Sequence, residues 1–204
     1  MANPPQTLLE MAKASWPKAS FDRAVVVIVD AQREYVDGAL PLAGIDAAVK
    51  DAALVLASAR RCATPIFHIV QHSPPGRGLF EMNGPYVEIL SELTPQGDEP
   101  VIAKKLPNAF AGTDLATRIR ATGRSDIILM GFMTHMCINA TARAALDLGF
   151  KTTIVAAATA TRDIPDPLGG TALAAETVQK TALAELADRF AMIAANAAAL
   201  DGAR

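Results

Sequence analysis

Short, uniformly apolar runs alternate along this chain with longer stretches in which apolar residues recur at helical spacing. Such runs are typical of strands buried on both faces of a parallel sheet. Strands are predicted at 24–29, 64–70, 100–104, 126–130, 152–158 and 190–194. Helices are predicted at about 6–14, 45–61, 86–93, 113–123 and 171–188, with one more that contains Cys137 and stops near Gly149. The alternation predicts an α/β fold with helices on both faces of the sheet.

Composition limits the classes of function. The chain has 204 residues, and 51% of them are hydrophobic. We therefore expect a single domain over 1–204 with its core at about 24–194. A net charge of −2 argues against nucleic-acid and anionic-membrane partners, so we expect a small-molecule substrate. Its apolar runs are too short to cross a bilayer, and the N-terminus lacks the apolar block of a signal peptide. We expect a cytoplasmic protein.

Two cysteines lie far apart in the sequence, so a structural disulfide is not expected. Cys62 follows a predicted helix and is interpreted as inert packing. Cys137 sits where the strand at 126–130 gives way to a helix. The positive end of a helix favours thiolate over thiol, which predicts a pKa below the usual value near 8.5. The alternative is a small core residue, and position alone does not decide between the two.

Two charged residues are expected close to Cys137. Asp30 ends the first predicted strand and Lys104 ends the third, while Cys137 follows the fourth. In parallel sheets ligands bind outside the carboxyl ends of the strands, where the strand order reverses. The three side chains could therefore supply a base, a balancing charge and a nucleophile.

These residues lie in motifs that resemble the isochorismatase-like cysteine hydrolases. The motifs are D-x-Q at 30–32, K-x-x-x-x-A-F-x-G-T-D-L at 104–115, and G-x-x-T-H-x-C…T-A-R…A-x-D-x-G at 131–149. The resemblance implies a three-layer α/β/α fold with a six-stranded parallel, Rossmann-like sheet. It also implies hydrolysis of a C–N bond in an amide, carbamoyl or related group through a thioester.

Carried over by motif, the catalytic triad is Asp30, Lys104 and Cys137. Lys105 is the competing lysine, but its spacing is one residue short. The resemblance further implies a non-proline cis peptide before the nucleophile, placed at Met133–Thr134. Backbone groups near the nucleophile would hold the oxyanion, and other residues at the same edge are candidates for the substrate pocket. The backbone candidates are Met133, Thr134 and Cys137, and the pocket candidates are Gln32, Tyr35, His72, Asn108, Phe110 and His135.

Several of these assignments have alternatives. Tyr35 and Phe110 could equally be core residues, and His135 could serve packing or an oligomer contact. Some relatives bind a metal through an Asp-x-His pair, which this chain lacks. Here His68 and His72 are a weak metal signal, so no metal or other cofactor is expected. His68 is interpreted as a core residue.

Other functions and a partner were also weighed. One alternative is an isochorismatase-type vinyl-ether hydrolase, which needs no thiol. Another is a non-catalytic carrier-binding or scaffold domain that has kept the fold. A homo-oligomer, dimer or tetramer, is expected through the Ala-rich faces at 141–145 and 194–200, near the active-site edge.

Overall fold

Six parallel strands form one sheet in a computed structural model that describes residues 4–200. The strands are β1 Ala24–Val29, β2 Ile66–Gln71, β3 Val101–Lys104, β4 Asp126–Phe132, β5 Lys151–Ala160 and β6 Ala191–Ala194. Their order is β3-β2-β1-β4-β5-β6, and every neighbouring pair is parallel. This confirms the predicted six-stranded parallel sheet. Both ends of the predicted 1–204 domain lie outside the described residues.

Five α-helices accompany the sheet among the described residues. They are α1 Leu8–Met11, α2 Ile45–Arg61, α3 Leu115–Ala121, α4 Asn139–Asp147 and α5 Ala175–Arg189. α2 contributes to the hydrophobic core on one face, whereas α3, α4 and α5 contribute to the core on the other. Side chains of β1 alternate between these two cores, and all of its residues are buried. A strand with two buried faces has to be apolar throughout, which is why the run at 24–29 shows no polar alternation.

The strand order reverses between β1 and β4, which lie side by side at the centre of the sheet. Gly131, near the end of β4, has a φ of 112° and lies against the backbone of Val29. A Cβ at this position would overlap the Val29 carbonyl oxygen. Only glycine allows the two chains to approach this closely at the reversal point.

The predicted helix at 86–93 is wrong. Only Ser91–Leu93 forms a 3₁₀ turn there. The carbonyl groups of Tyr86 and Glu88 accept hydrogen bonds from the backbone of residues 33 and 34, and Ile89 pairs with Gln32 in an antiparallel bridge. Long-range backbone pairing therefore keeps this segment extended despite its helix-compatible sequence.

Three smaller expectations also change. The first helix is shorter than predicted. A capping box between Thr7 and Glu10 starts it at Leu8, and it ends at Met11. Cys62 terminates α2 and is exposed, so it is not a packing residue. Within residues 4–200, none of the helices combines the length and apolarity that a bilayer crossing requires.

The Ala-rich faces predicted to join subunits are largely internal. Thr141, Ala142 and Ala145 are buried beneath α4, and Ala194 and Ala197 are buried at the other end of the expected interface. Small residues here let the helix and the last strand pack closely against the protein's own core. They do not form the exposed apolar patches that the sequence suggested.

Candidate active site

Asp30 directly follows β1 and is fully buried. Its backbone N–H donates to the Ile69 carbonyl at 2.8 Å, so the residue still pairs with β2. Its φ is 51°, in the left-handed region that aspartate tolerates better than most residues. The chain turns sharply here, and the carboxylate sits where the strand order reverses.

Lys104 ends β3 and lies in register with Gln71 of β2. Its side chain is 0% exposed, and Nζ lies 2.8 Å from Asp30 Oδ2. The same ammonium donates to Gln71 Oε1 at 2.7 Å and to Cys137 Sγ at 3.4 Å. Lys105 is exposed. The geometry therefore selects Lys104 over the competing lysine as the residue that meets Asp30 and Cys137.

The Asp30 carboxylate keeps its acceptor capacity. Lys104 Nζ pairs with its Oδ2 at 2.8 Å, and this is the only ion pair that the carboxylate forms among residues 4–200. A buried carboxylate is costly unless an opposite charge balances it. Lys104 provides that charge and leaves the oxygen lone pairs open to a proton from a neighbouring group.

Cys137 lies in a π-helical turn, Thr134–Ile138, that leads into α4. The prediction placed it in the first turn of a regular α-helix, so the helix begins differently from expected. The cis peptide bond is Phe132–Met133, one residue earlier than predicted. Thr134 Oγ1 donates to the Ala160 carbonyl at 3.1 Å, which ties the turn to the end of β5.

The expected low pKa of Cys137 is wrong. Burial, together with the neighbouring Asp30 charge, raises the pKa of the thiol to about 12, against the opposing effect of Lys104. Burial also raises the pKa of Asp30, again opposed by Lys104. Proximity to the start of a helix does not overcome desolvation and a nearby negative charge. At rest, the proton belongs to the sulfur.

Gln32 is not free to contact a ligand in the way the sequence suggested. Its amide nitrogen donates to the carbonyls of Gln71 (3.0 Å) and Val87 (2.7 Å), and its carbonyl oxygen accepts from Gln71 N–H at 2.8 Å. The residue is fully buried. Its hydrogen bonds fasten the end of β2, and with it Gln71, to the loop after β1.

Tyr35 is 2% exposed, and its ring packs edge-on against Phe80 and Phe132. It is part of the core on the α2 side. Burial, followed by the charges of Asp30 and Cys137, raises the pKa of its hydroxyl well above the usual value. Tyr35 thus belongs to the core, and the charges of Asp30 and Cys137 contribute to the raised pKa of its hydroxyl.

The remaining pocket candidates separate into two groups. Phe110 stacks on Phe150, which follows α4, and packs against the hydrophobic core that also includes Cys137. Asn108 is half-buried and accepts from the Phe110 N–H. His72 is half-buried, and its backbone N–H donates to the Lys104 carbonyl at 3.0 Å. Burial lowers the pKa of the His72 imidazole.

His135 points toward β5 and α5. Its Nδ1 lies 2.5 Å from Thr161 Oγ1, and the side chain lines a cavity of about 200 Å³ together with residues of α5. Burial, and to a lesser extent the charge of Arg162, lowers the pKa of His135. The histidine is therefore neutral at pH 7, and Lys104 is not among the residues that line its cavity.

Two residues near the site were missed from the sequence. Gln71 accepts from the Lys104 ammonium and so helps to aim it. Arg162 follows β5, and its buried Nε has no hydrogen-bond partner among the described residues, while one Nη donates to the Asp163 carbonyl. Its charge acts on both Tyr35 and His135. Asp30 was identified by its position at the carboxyl end of a strand. The same criterion could have identified Gln71 and Arg162.

His68 and His72 do not converge on a common site. His68 Nε2 donates to Glu99 Oε2 at 2.8 Å, and Arg60 holds the same carboxylate with two hydrogen bonds. His68 is 1% exposed, in the core, as interpreted from the sequence. Residues 4–200 contain no group of three or more His, Cys, Asp or Glu side chains placed to hold a metal ion.

Comparisons with known proteins identify the family to which the chain belongs. Residues 24–198 match the family model of the isochorismatase domain. The secreted isochorismatase effector Isc1 of Verticillium dahliae is 37% identical, over 84% of this chain and 87% of that protein. The maleamate amidohydrolase of Pseudomonas putida is 31% identical, over 65% of this chain and 70% of that protein. An isochorismatase structure from Pseudomonas putida KT2440 superposes with a TM-score of 0.91 at 36% identity, covering 97% of this chain and 100% of that one.

Proposed function

Because the chain belongs to the isochorismatase domain family of hydrolases, we propose that it is a cysteine-dependent amidohydrolase. It cleaves the C–N bond of a small amide, carbamoyl or related substrate through a thioester intermediate. One observation carries this proposal. Lys104 Nζ lies 2.8 Å from Asp30 Oδ2 and 3.4 Å from Cys137 Sγ, with all three residues buried at the point where the strand order reverses.

Stability alone does not account for this cluster. A buried ion pair is often no more stabilising than apolar residues of similar size, because desolvation of the two charges offsets their attraction. Titratable groups with pKa values raised by burial are a common feature of catalytic sites. A thiol placed beside such a pair has a base within reach and a cation to balance charge.

The raised pKa values support one order of proton transfers. Cys137 remains a thiol until substrate arrives, and Asp30 then takes its proton as the sulfur attacks the carbonyl carbon. Asp30 next donates that proton to the leaving nitrogen, the C–N bond breaks, and a thioester to Cys137 remains. Water attacks the thioester while Asp30 accepts its proton, the C–S bond breaks to release the acid product, and Asp30 returns the proton to the Cys137 sulfur. Lys104 balances the negative charge throughout.

Backbone N–H groups are proposed to stabilise the oxyanion. Those of Cys137 and of Met133 or Thr134 lie in or next to the π-helical turn that carries the nucleophile. Donors built into a rigid turn need little reorganisation when charge develops on the carbonyl oxygen. The Thr134 hydroxyl does not compete for this task, because it is used by the Ala160 carbonyl.

Arg162 suggests that the amide also carries an anionic group. Its buried Nε has no partner among residues 4–200, and the residue adjoins Thr161, whose hydroxyl lies 2.5 Å from Nδ1 of His135. Guanidinium groups bind carboxylates with paired hydrogen bonds. A relative named maleamate amidohydrolase acts on an amide that bears a carboxylate, which supports the same class here.

A vinyl-ether hydrolase remains the second candidate, favoured by the relative named an isochorismatase effector. That reaction needs a proton donor but no thiol. Asp30, with its raised pKa, could serve it. A non-catalytic carrier-binding or scaffold domain is the third possibility and predicts no turnover. A cytoplasmic location is still a prediction for this protein. The relative from Verticillium dahliae is named as a secreted protein.

Ammonia release from a panel of small primary amides and N-carbamoyl compounds tests the proposal. The panel pairs the monoamide of a dicarboxylic acid with a neutral amide of equal length. We expect turnover of the acidic member, and Arg162→Gln should raise its KM at least about tenfold while leaving the neutral amide unaffected. Arg162→Lys keeps the charge and should show a smaller effect. Vinyl-ether cleavage without ammonia release from any amide would contradict the proposal.

A further inference from the structure

Each N–H donor of the Lys104 ammonium group has a partner in the candidate site. A lysine ammonium has three N–H donors and no acceptor. Its nitrogen lies 2.8 Å from Asp30 Oδ2, 3.4 Å from Cys137 Sγ and 2.7 Å from Gln71 Oε1. Because the side chain is also 0% exposed, Lys104 has no donor left for a substrate and acts within this cluster.

Gln71 is the partner of the ammonium that does not titrate. In the proposed reaction the thiol proton of Cys137 moves to Asp30 and later returns, so both of these partners change their charge or their proton. Once Asp30 is protonated, its attraction for the ammonium is much weaker. The amide oxygen of Gln71 accepts the same hydrogen bond in every one of these states. It can therefore hold Lys104 in place when the ion pair is lost.

A neutral acceptor also leaves the positive charge of Lys104 undiminished. A carboxylate in place of the Gln71 amide would bind the ammonium as well, but it would offset the charge. It would also add a second buried negative charge beside Asp30, which is costly. The amide fixes the ammonium without either effect, so the full charge can act on Asp30 at rest and on the sulfur during attack.

The orientation of the Gln71 amide is determined by its partner. An ammonium only donates, so the amide atom that faces it has to be the carbonyl oxygen. The amide nitrogen then lies 3.5 Å from the His72 carbonyl oxygen, at the long limit for a hydrogen bond. Among residues 4–200, the Gln71 side chain has no hydrogen bond to Asp30 or Cys137, so Lys104 is its main partner.

Gln32 holds the main chain of Gln71 in place. Its side chain accepts from the Gln71 N–H at 2.8 Å and donates to the Gln71 carbonyl at 3.0 Å. Its own backbone N–H donates to the Asp30 carbonyl at 2.8 Å. Gln32 is fully buried. This residue therefore joins the backbone that carries Asp30 to the backbone that carries Gln71, and Gln71 in turn lies in register with Lys104.

We propose that Gln71 is a positioning residue, which holds the Lys104 ammonium between Asp30 and Cys137 while the proton moves between those two groups. The inference rests on the proposed function, because it assigns Gln71 a role in that reaction. Gln71 acts through Lys104 and not on the substrate. Its loss should therefore lower kcat and leave substrate binding nearly unchanged.

Gln71→Met keeps the length of the side chain and removes the acceptor. For ammonia release from the monoamide of a dicarboxylic acid, we expect kcat to fall at least about tenfold while KM changes less than about twofold. Gln179→Met is the matched control. Gln179 is also a half-buried glutamine, and its amide donates to Thr159 on β5. The control should keep the kcat of the wild type, and equal losses in the two variants would count against a specific role for Gln71.

A double-mutant cycle on alkylation of Cys137 tests whether Gln71 acts through Lys104, and it needs no substrate. Iodoacetamide rates are measured against pH for Gln71→Met, Lys104→Met and the double variant. Gln71→Met alone should slow alkylation at least about threefold, because the misplaced ammonium stabilises the thiolate less. The double variant should be no slower than Lys104→Met. Equal slowing by Gln71→Met in both backgrounds would overturn the inference.

Gln71→Glu provides a second, independent test. This variant keeps an acceptor for Lys104 but adds a negative charge, so alkylation of Cys137 should accelerate only at higher pH than in the wild type. An unchanged pH profile, or kcat and alkylation rates of Gln71→Met equal to those of the wild type, would overturn the inference. If the amide is not hydrolysed at all, the proposed function fails, whereas the alkylation cycle still decides whether Gln71 positions Lys104.

Discussion

The ammonium group of Lys104 lies 3.4 Å from the sulfur of Cys137, yet the pKa of this thiol is raised. Burial and the Asp30 carboxylate together outweigh the single positive charge. Cys137 is therefore a protonated thiol at neutral pH, and its proposed role as a nucleophile requires Asp30 as the base. The first two predictions follow from this arrangement.

Alkylation of Cys137 by iodoacetamide should be slow at pH 7 and still rising at pH 10, because the thiol pKa is about 12. Asp30→Asn removes a charge that raises this pKa and should therefore accelerate alkylation at neutral pH. Lys104→Met removes the opposing charge and should slow it. Site-resolved mass spectrometry measures these rates against the exposed Cys62. A midpoint below 8.5 in the wild type would contradict the assigned resting state.

Cys137→Ser should reduce amide turnover at least about a thousandfold, because the serine hydroxyl is far less acidic and a poorer nucleophile here. The side chain is similar in size, so the urea unfolding midpoint should move little. The comparison is made with Cys62→Ser, which alters an exposed thiol outside the site and should retain full activity. Substantial turnover by the Cys137 variant would favour the vinyl-ether or another thiol-independent mechanism.

Gly131→Ala should destabilise the protein by about 3 kcal/mol or more, since the new Cβ would overlap the Val29 carbonyl oxygen and alanine disfavours a φ of 112°. Gly123→Ala is a suitable control. Gly123 also has a positive φ, of 73°, but open space around its Cβ position, so about 1–2 kcal/mol is expected. Equal losses in the two variants, measured by chemical denaturation, would show that steric overlap is not the cause.

Acid should destabilise the fold through Glu99 and His68. Although burial acts in the opposite direction, hydrogen bonds from Arg60, the Gln96 N–H and His68 lower the pKa of Glu99 to about 2. Stability from this carboxylate is present above the unfolded pKa of about 4.5 and is lost as pH falls toward 2. Burial lowers the pKa of His68 despite Glu99, so its contribution begins to fall below about pH 6.5.

Glu99→Gln should therefore flatten the stability profile between pH 4.5 and 2, with a loss on the order of 2 kcal/mol at pH 7. Glu88 provides the control, because its side chain is 74% exposed and lies 3.6 Å from Arg33. Glu88→Gln should change stability little at any pH. Unfolding curves over a pH series measure both variants, and parallel profiles for Glu99→Gln and wild type would refute the assignment.

Activity should survive exhaustive chelation. His68 is engaged by Glu99, so His72 is left without a second imidazole ligand at the edge of the sheet. The proposed reaction uses the thiol and the carboxylate alone. Amide turnover after dialysis against EDTA, compared with a sample given zinc or manganese afterwards, measures this. Loss of activity that either metal restores would require a metal ligand set beyond the one considered.

The sheet could be predicted because its strands are buried on both faces and so are apolar throughout. Asp30, Lys104 and Cys137 could be placed together because parallel strands end at one edge. The state of the thiol could not be predicted from the local sequence. It depends on burial and on Asp30, which is 107 positions earlier in the chain (137 − 30).

The helix predicted at 86–93 was wrong for a related reason. Its residues are compatible with a helix, but its carbonyl groups are taken by the backbone of residues 33 and 34. The position of Phe110 could not be predicted, because a loop can lead away from the sheet edge where it begins. In the structure, the Phe110 ring stacks on Phe150. Gln32 was placed at the correct edge, but its amide is used by backbone groups.

The proposed reacting groups come from the ends of β1, β3 and β4, so no single strand with its following loop holds the candidate site by itself. Asp30 and Lys104 meet only when β2 lies between their strands, and Cys137 joins them only when β4 has paired with β1. Catalysis is thus a stringent reporter of complete folding. During refolding, turnover should return last, after secondary structure, and an intermediate lacking any one of these strand pairings should be silent in the assay.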